Sequence, residues 1–104
     1  MARGYWIARV DVKDMDGYQK YVKAIAAPLA RYGARYLTRG GPYEPVEGAS
    51  RSRNVTIEFP SYDDALACYH SDDYQAAVPY RQASADSELV IVEGYDGPQL
   101  GQTA

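Results

Sequence analysis

The chain has 104 residues, of which 46% are hydrophobic and 24% charged, a composition typical of one ordinary globular domain. Its net charge of −3 argues against a nucleic-acid-binding surface, and no stretch approaches the ~20 apolar residues that a membrane-spanning helix needs. The N-terminal residues lead into a strand pattern without the apolar stretch of a signal peptide, so we expect a cytoplasmic protein. The single cysteine, Cys68, excludes an internal disulfide and is expected to be a small buried apolar residue.

The first strand and the first helix follow directly from residue spacing. Tyr5–Val12 alternates with the period of a strand, and Asp14 is a suitable residue to begin a helix. Apolar residues at helical spacing then form one stripe: Met15, Tyr18, Val22, Ile25, Leu29 and Tyr32. Because proline cannot donate a helical hydrogen bond, Pro28 predicts a kink or break near residues 24–27. Gly33 is a natural end for the helix.

The middle of the chain predicts a long, irregular hairpin. The second strand, Ala34–Arg39, ends at the Gly-Gly-Pro turn of residues 40–42. The third strand is Asn54–Phe59. Between them, Tyr43–Gly48 is consistent with a further short strand.

Two helix starts precede the last strand. Ser61, followed three residues later by Asp64, resembles a capping box. Ser71 predicts a second cap, and Pro79 is expected to disturb the helix that follows. The last strand is Leu89–Glu93, after which the chain continues as a tail containing glycine and proline.

The resulting order, β-α-β-β-α-β, predicts a ferredoxin-like α+β fold: an antiparallel four-stranded sheet with its helices on one face. We expect a single domain over residues 1–97 and a C-terminal tail over 98–104. The strand face predicted to meet the helices carries Trp6, Ala8, Val10, Tyr36, Thr38, Val55, Ile57, Phe59, Val90 and Val92. The other face mixes apolar and polar or ionisable residues: Tyr5, Ile7, Arg9, Arg35, Leu37, Arg39, Asn54, Thr56, Glu58, Leu89, Ile91 and Glu93.

That second face would leave an apolar patch exposed in a monomer, and such patches normally mark an interface. A two-fold homodimer that packs the two sheets face to face would cover the patch and enclose a barrel-like space. The sequence therefore predicts a dimeric α+β barrel. A monomer with a mildly hydrophobic sheet surface is the alternative.

Segments in nearly every element together resemble one bacterial family. They are residues 4–10, 39–41, 54–61, 65–69, Ser71, Tyr74-Gln75 and 90–94. From about Gly4 to Gly97 the chain resembles the family catalogued as domain of unknown function 1330. The resemblance implies the dimeric α+β barrel superfamily and a small bacterial cytosolic protein without an established reaction. Because that superfamily includes cofactor-free monooxygenases, haem-binding enzymes, isomerases and ligand-sensing domains, it narrows the architecture more than the chemistry.

Arg39 and Glu58 are the candidate catalytic residues. Both are expected on the open face of the sheet, where an arginine can hold a carboxylate or enolate and a partly desolvated glutamate can act as a general base. Arg9 and Glu93, expected on adjacent strands, are candidate ligand-binding residues. The alternative is that an Arg39–Glu58 or Arg9–Glu93 salt bridge only fixes the register of the dimer.

His70 and Tyr74 are the other candidate ligand-binding residues. His70 is the only histidine and stands at a helix end, where a solvated surface position is the alternative. The superfamily resemblance adds haem ligation as a further alternative for it. Tyr74 follows a predicted cap and could instead anchor its helix by packing. The sequence has no spacing of metal ligands and no phosphate-binding or dinucleotide-binding motif, so neither a metal nor a cofactor is predicted.

Three hypotheses about function remain open. The first is a small enzyme that uses acid/base or cofactor-free oxygen chemistry on a small organic, possibly anionic, molecule. The second is a dimer that binds such a ligand without turnover. The third is a structural dimer in which the charged strand residues only fix the interface. The sequence does not decide whether the protein is an enzyme.

Overall fold

The computed structural model describes residues 2–102 and has the expected order of elements. They are β1 (Gly4–Val12), α1 (Met15–Arg31), β2 (Arg35–Arg39), β3 (Arg53–Phe59), α2 (Tyr62–His70), α3 (Asp72–Ser84) and β4 (Ala85–Glu93). The strands form one antiparallel sheet in the order β2-β3-β1-β4. This arrangement confirms the predicted ferredoxin-like α+β fold. In this part of the chain no helix is both long and apolar enough to cross a bilayer.

The helices cover one face of the sheet, which we call the inner face, and leave the other, the open face, uncovered. Trp6 of β1 lies at the centre of the inner face and is 2% exposed. Its indole N–H donates to the carbonyl of Ala65 in α2 at 2.9 Å. Its ring also lies 4.8 Å from that of Tyr74 and 5.0 Å from that of Phe59, centroid to centroid. This residue therefore joins two strands and two helices in a single core.

Both predicted serine caps are present. The backbone N–H of Asp64 donates to Ser61 Oγ at 3.0 Å, and the Ser61 hydroxyl donates in return to the Asp64 carboxylate. The N–H of Tyr74 donates to Ser71 Oγ at 3.2 Å. Each cap satisfies a backbone donor that the first turn of a helix leaves unpaired. Asp14 occupies the N-cap position of α1 but makes no side-chain capping bond.

The predicted break of α1 at proline does not occur, and the alternative of a kink at Pro28 stays a prediction. Helix α1 continues through Pro28 to Arg31, and α3 continues through Pro79 to Ser84. Pro28 loses the one bond that an N–H at this position would donate to the carbonyl of Ala24, and it is buried together with Leu29. Packing of this last turn offsets the missing hydrogen bond.

Residues 40–52 form a loop, and the short strand predicted at Tyr43–Gly48 is absent. Because Pro42 and Pro45 have no backbone N–H to donate, this segment is poorly suited to pair with a strand. Most of the loop is exposed. The radius of gyration is 15.0 Å, whereas a compact domain of this length would have roughly 13 Å.

The prediction assigned the faces of β4 the wrong way round. Ile91 pairs with Trp6 and Val90 pairs with Ile7, so Leu89 and Ile91 lie on the inner face and Val90 on the open face. The run of residues 89–92 is apolar at every position, so alternation along this strand carried no information about which face is buried.

A β-bulge in β2 reverses a second predicted assignment. Tyr36 pairs with Ile57, but Thr38 pairs with Thr56, so one extra residue is inserted at Leu37. Beyond this point Thr38 lies on the open face, where its hydroxyl donates to Thr56 Oγ1 at 3.0 Å. Arg39 is consequently on the inner face, opposite to the prediction, because a bulge shifts the alternation by one residue.

Gly4→Ala is expected to destabilise the fold by about 1–3 kcal/mol, the usual cost of overpacking. A Cβ at Gly4 would collide with the backbone of Ser61 and Tyr62, which cannot swing aside as a side chain can. Urea unfolding of the purified variant measures this loss.

Gly41→Ala is the matched control, because a Cβ at Gly41 meets no atom within 4 Å. Its unfolding midpoint should stay near that of the wild type. Equal midpoints for the two variants would show that the contact between β1 and the start of α2 is not tight.

Candidate functional site

A small cavity lies between the inner face of the sheet and α1, and we call it the inner cavity. Its volume is about 40 Å³. The sheet contributes an apolar and aromatic wall that includes Trp6, Ala8, Val55, Ile57 and Leu89. Helix α1 contributes Tyr18, Tyr21 and Ile25. Such walls suit an organic molecule better than a bare inorganic ion.

Two arginines supply positive charge to the inner cavity. The guanidinium of Arg53, at the start of β3, lies 5.5 Å from the ring centre of Tyr18. That of Arg81, in α3, lies 5.5 Å from the ring centre of Tyr21 and donates to Ser87 Oγ at 2.6 Å. The Nε atom of each arginine is buried and has no hydrogen-bond partner within residues 2–102. A buried charged donor without an acceptor is costly, so an acceptor in the cavity would be bound favourably.

Gly40 makes room for Arg53. A Cβ at this position would lie 2.5 Å from Arg53 Nη1. The backbone φ of Gly40 is also 70°, a left-handed value that glycine adopts without strain. The turn after β2 therefore allows the arginine side chain to lie against the backbone.

Two tyrosine hydroxyls meet beside the inner cavity. The oxygen atoms of Tyr21, which lines the cavity, and Tyr74, on α3, are 2.6 Å apart. Both side chains are buried, and burial raises the pKa of each phenol above its ordinary value. Both tyrosines therefore stay protonated near neutral pH. Tyr74 is the predicted ligand-binding residue that the fold places beside this cavity.

The predicted catalytic pair, Arg39 and Glu58, does not come together. The bulge places Arg39 on the inner face, where its guanidinium lies 4.2 Å from the ring centre of Tyr36. Glu58 lies on the open face, opposite Tyr5 of β1 and Arg35 of β2. The expected Arg39–Glu58 contact was therefore wrong, because it assumed a regular alternation through β2.

Glu58 is instead held by other partners. The carboxylate of Glu58 accepts one hydrogen bond from Arg35 Nε at 2.9 Å and one from the Tyr5 hydroxyl at 3.1 Å. Arg3 Nε lies 3.9 Å from the same carboxylate. Burial opposes the charged form, but these hydrogen bonds and the nearby arginine charges lower the pKa of Glu58 below its usual value. A carboxylate held in this way is a weak base, so the arrangement favours a structural role.

The remaining predicted ligand-binding residues lie apart from the inner cavity. Arg9 is on the open face, opposite Glu88, and donates to the carbonyl of Ala49 at 3.3 Å. Glu93 pairs with Gly4 at the end of the sheet and is exposed, so it does not meet Arg9 as expected. His70 is exposed at the end of α2.

The open face carries a groove and an ion network. The groove, of about 820 Å³, lies between the 40–52 loop and the sheet, and Ile7 and Leu37 line it. At one end Arg51 donates to Asp11 at 2.9 Å and to Glu88 at 2.7 Å. The bond from Arg51 lowers the pKa of Glu88. These ion pairs fix the end of the loop against the sheet.

Prediction from the sequence missed Tyr21, Arg53 and Arg81. The spacing of α3 contained a signal, because Arg81 follows Tyr74 by seven residues, two helical turns, and so shares its face. Tyr21 likewise lies three residues after Tyr18 and four before Ile25. An arginine on an otherwise apolar helix face is unusual enough to mark a site.

The protein is by its fold a ferredoxin-like α+β protein with a candidate ligand cavity between sheet and helices. Residues 3–95 match the model of the family described as domain of unknown function (DUF1330). The chain belongs to this family. A comparison with curated proteins finds no match. Over residues 2–102 no group of three or more histidine, cysteine or acidic side chains could hold a metal ion.

Solved structures of low sequence identity share this fold. A protein of unknown function from Rhodopseudomonas palustris is 17% identical, with a TM-score of 0.75 over 92% of this chain and 85% of its own. SnoaB, a cofactor-independent oxygenase from Streptomyces nogalater, is 13% identical, with a TM-score of 0.63 over 98% and 100%. A dimeric protein of unknown function from Bacteroides fragilis is 17% identical, with a TM-score of 0.58 over 88% and 95%.

Glu58→Gln is expected to make the stability of the protein less sensitive to acid. Because the pKa of Glu58 is lowered in the folded state, its contribution is present above the unfolded-state pKa and is lost as the pH falls through the folded-state pKa. Thermal melts of wild type and variant between neutral pH and pH ~3, a range that spans the ordinary glutamate pKa, measure the difference.

Glu44→Gln is the control, since it removes the same charge from the exposed loop. Its melting temperature should follow the wild-type pH profile. If Glu58→Gln also followed that profile, the contacts from Tyr5 and Arg35 would have no influence on stability.

Proposed function

We propose that the protein is a homodimer that binds a small organic anion in the inner cavity of each protomer. The observation that carries this proposal is the pair of buried, unpartnered Nε donors on Arg53 and Arg81 beside an apolar and aromatic wall. The wall suits an organic body and the guanidinium groups suit a carboxylate or enolate oxygen. The positive charge is local, since the chain as a whole carries −3.

The size of the cavity limits how a ligand enters. Its volume of about 40 Å³ holds roughly three water molecules at the ~10–15 Å³ that each requires. An organic ligand must therefore displace side chains that line the cavity. Arg53 and Arg81 are only partly buried and have the most rotatable bonds, so they are suited both to admit the ligand and to hold it.

Acid/base or cofactor-free oxygen chemistry is the reaction class that we propose if the ligand is turned over. Support comes from the fold shared with SnoaB, which is described as a cofactor-independent oxygenase. The catalytic roles predicted for Arg39 and Glu58 remain predictions, and the geometry favours Arg53 and Arg81 for binding the anion. Binding without turnover is the simpler form of the proposal, because it requires the groups that bind the anion and no catalytic residue.

The homodimer is proposed from the composition of the open face. Ile7, Val90 and Val92 lie on this face with 40%, 54% and 42% of their surfaces exposed. A contiguous apolar patch of this kind is typical of an interface. The dimeric ferredoxin-like relative from Bacteroides fragilis supports the same assembly.

A purely structural dimer is the second candidate, and the ion pairs of the open face favour it. The carboxylates of Glu58, Asp11 and Glu88 each have an arginine partner within their own chain. These charges need no ligand, and they are available to set the register of two sheets. The inner cavity distinguishes the two candidates, since a structural dimer has no need of arginine Nε donors left without a partner there.

Arg81→Gln is expected to weaken binding of 2-naphthoate about tenfold or more, because a hydrogen bond to a charged group contributes about 1.5–3 kcal/mol. Titration calorimetry measures the affinity, with the neutral 2-naphthamide as the matched ligand. We expect Arg53→Gln to act in the same direction. The control is Arg9→Gln, which removes a cation from the open face and should leave binding unchanged. Equal affinity for acid and amide would contradict an anion site.

Val90→Asp is expected to dissociate the dimer, raising its dissociation constant roughly 100-fold, since an unpaired charge buried in an interface costs several kcal/mol. Sedimentation equilibrium of wild type and variant measures the change. Ala67→Asp, on the exposed side of α2, is the control and should remain dimeric. A monomeric wild type, or a dimer insensitive to Val90→Asp, would exclude this face as the interface.

A further inference from the structure

We propose that Tyr21 donates a hydrogen bond to a phenolate or enolate oxygen of the ligand, and that the Tyr74 hydroxyl positions it by donating to Tyr21. This inference rests on the proposed function, because it concerns the same inner cavity. Tyr21 is a binding residue in this scheme, and Tyr74 is a positioning residue.

The count of hydroxyl protons carries the inference. Two phenols have two protons, but the 2.6 Å contact between Tyr21 and Tyr74 uses only one of them. In the described part of the chain neither hydroxyl has another acceptor, and the neighbouring guanidinium of Arg81 can only donate to them. Whichever tyrosine donates, one buried O–H is left without an acceptor, and that omission is costly in a protein interior.

The position of the cavity shows how the spare proton can be satisfied. Tyr21 lines the cavity, whereas Tyr74 lies behind it, in contact with Trp6. If Tyr74 donates to Tyr21, the Tyr21 proton is directed to the cavity. An acceptor bound there then accepts a hydrogen bond from Tyr21, and both hydroxyl protons are satisfied. The opposite direction would leave the Tyr74 proton among aromatic rings.

The other polar groups at the cavity make an anionic oxygen the best acceptor. Arg81 lies beside the Tyr21 ring and has a buried Nε donor without a partner. Glu88, the one carboxylate among the lining residues of the cavity, is bonded to Arg51 at 2.7 Å. The polar groups of the cavity that lack a partner are therefore hydrogen-bond donors. They would stabilise a negatively charged oxygen of the ligand as the donors of an oxyanion hole do.

A phenolate or enolate matches Tyr21 better than a carboxylate does. Burial raises the pKa of Tyr21, so its proton stays on the tyrosine and is shared rather than transferred. A shared hydrogen bond is strengthened when the two oxygens have similar proton affinities, and phenols and enols are closer to tyrosine than carboxylic acids are. The aromatic wall provided by Trp6 and Tyr18 also suits a planar ligand.

Titration with 4-nitrophenol tests the inference, because its phenolate absorbs visible light and its phenol does not. We expect the nitrophenol bound to the wild-type protein to be more ionised than free nitrophenol at the same pH. Tyr21→Phe should abolish this excess ionisation, and Tyr74→Phe should reduce it severalfold. Tyr18→Phe is the matched control, since it removes a hydroxyl from the same cavity but not from the pair.

The outcomes separate this inference from the proposed function. Excess ionisation that survives Tyr21→Phe, or is absent in the wild type, overturns the role of Tyr21 and leaves 2-naphthoate binding intact. Failure of nitrophenol to bind while naphthoate binds overturns the ligand class. Failure of both probes overturns the proposed function as well. If Tyr21→Phe does not fold, the wild-type ionisation and the Tyr74→Phe variant decide the question.

Discussion

The packing of Trp6 is the constraint on which the rest of the structure depends. Its indole N–H bonds to α2, and its ring meets Phe59 of β3 and Tyr74 of α3, so one side chain sets the distance of two helices from the sheet. Tyr74, held in this way, places its hydroxyl where Tyr21 of α1 can reach it. Trp6 and Tyr21 thus belong to the core and also line the inner cavity, so a change in core packing changes the shape of the cavity.

Charge is distributed differently on the two faces of the sheet. On the open face the buried carboxylate of Glu58 and the acids around Arg51 are paired within the chain, which offsets part of the cost of desolvating them. On the inner face, Arg53 and Arg81 keep buried donors without partners. A chain with an overall negative charge therefore directs positive potential into one small cavity. Paired charges suit assembly, and unpaired ones suit recognition of an anion.

The order of elements, the serine caps and most of the core followed from residue spacing, because caps and amphipathic stripes are local properties. The assignment of faces in β2 and β4 did not. In β4 a continuous apolar run gave no alternation to read, and only pairing with Trp6 and Ile7 fixes the faces. The inner cavity was not predicted for a related reason: Tyr74 was identified, but its partner Tyr21 meets it only through the tertiary packing of α1 against α3.

The bulge at Leu37 decides which arginine of β2 shares the open face with Glu58 and which lies on the inner face. Without it, Arg39 would share the open face with Glu58 and could compete with Arg35 for that carboxylate. With it, Glu58 pairs with Arg35 and Arg3, and Arg39 stacks on Tyr36, a residue of the inner cavity wall. The turn that follows brings Gly40 against Arg53, whose guanidinium would otherwise meet a side chain. The irregularity of β2 thereby leaves Glu58 to its other partners on the open face and keeps Arg39 away from that carboxylate.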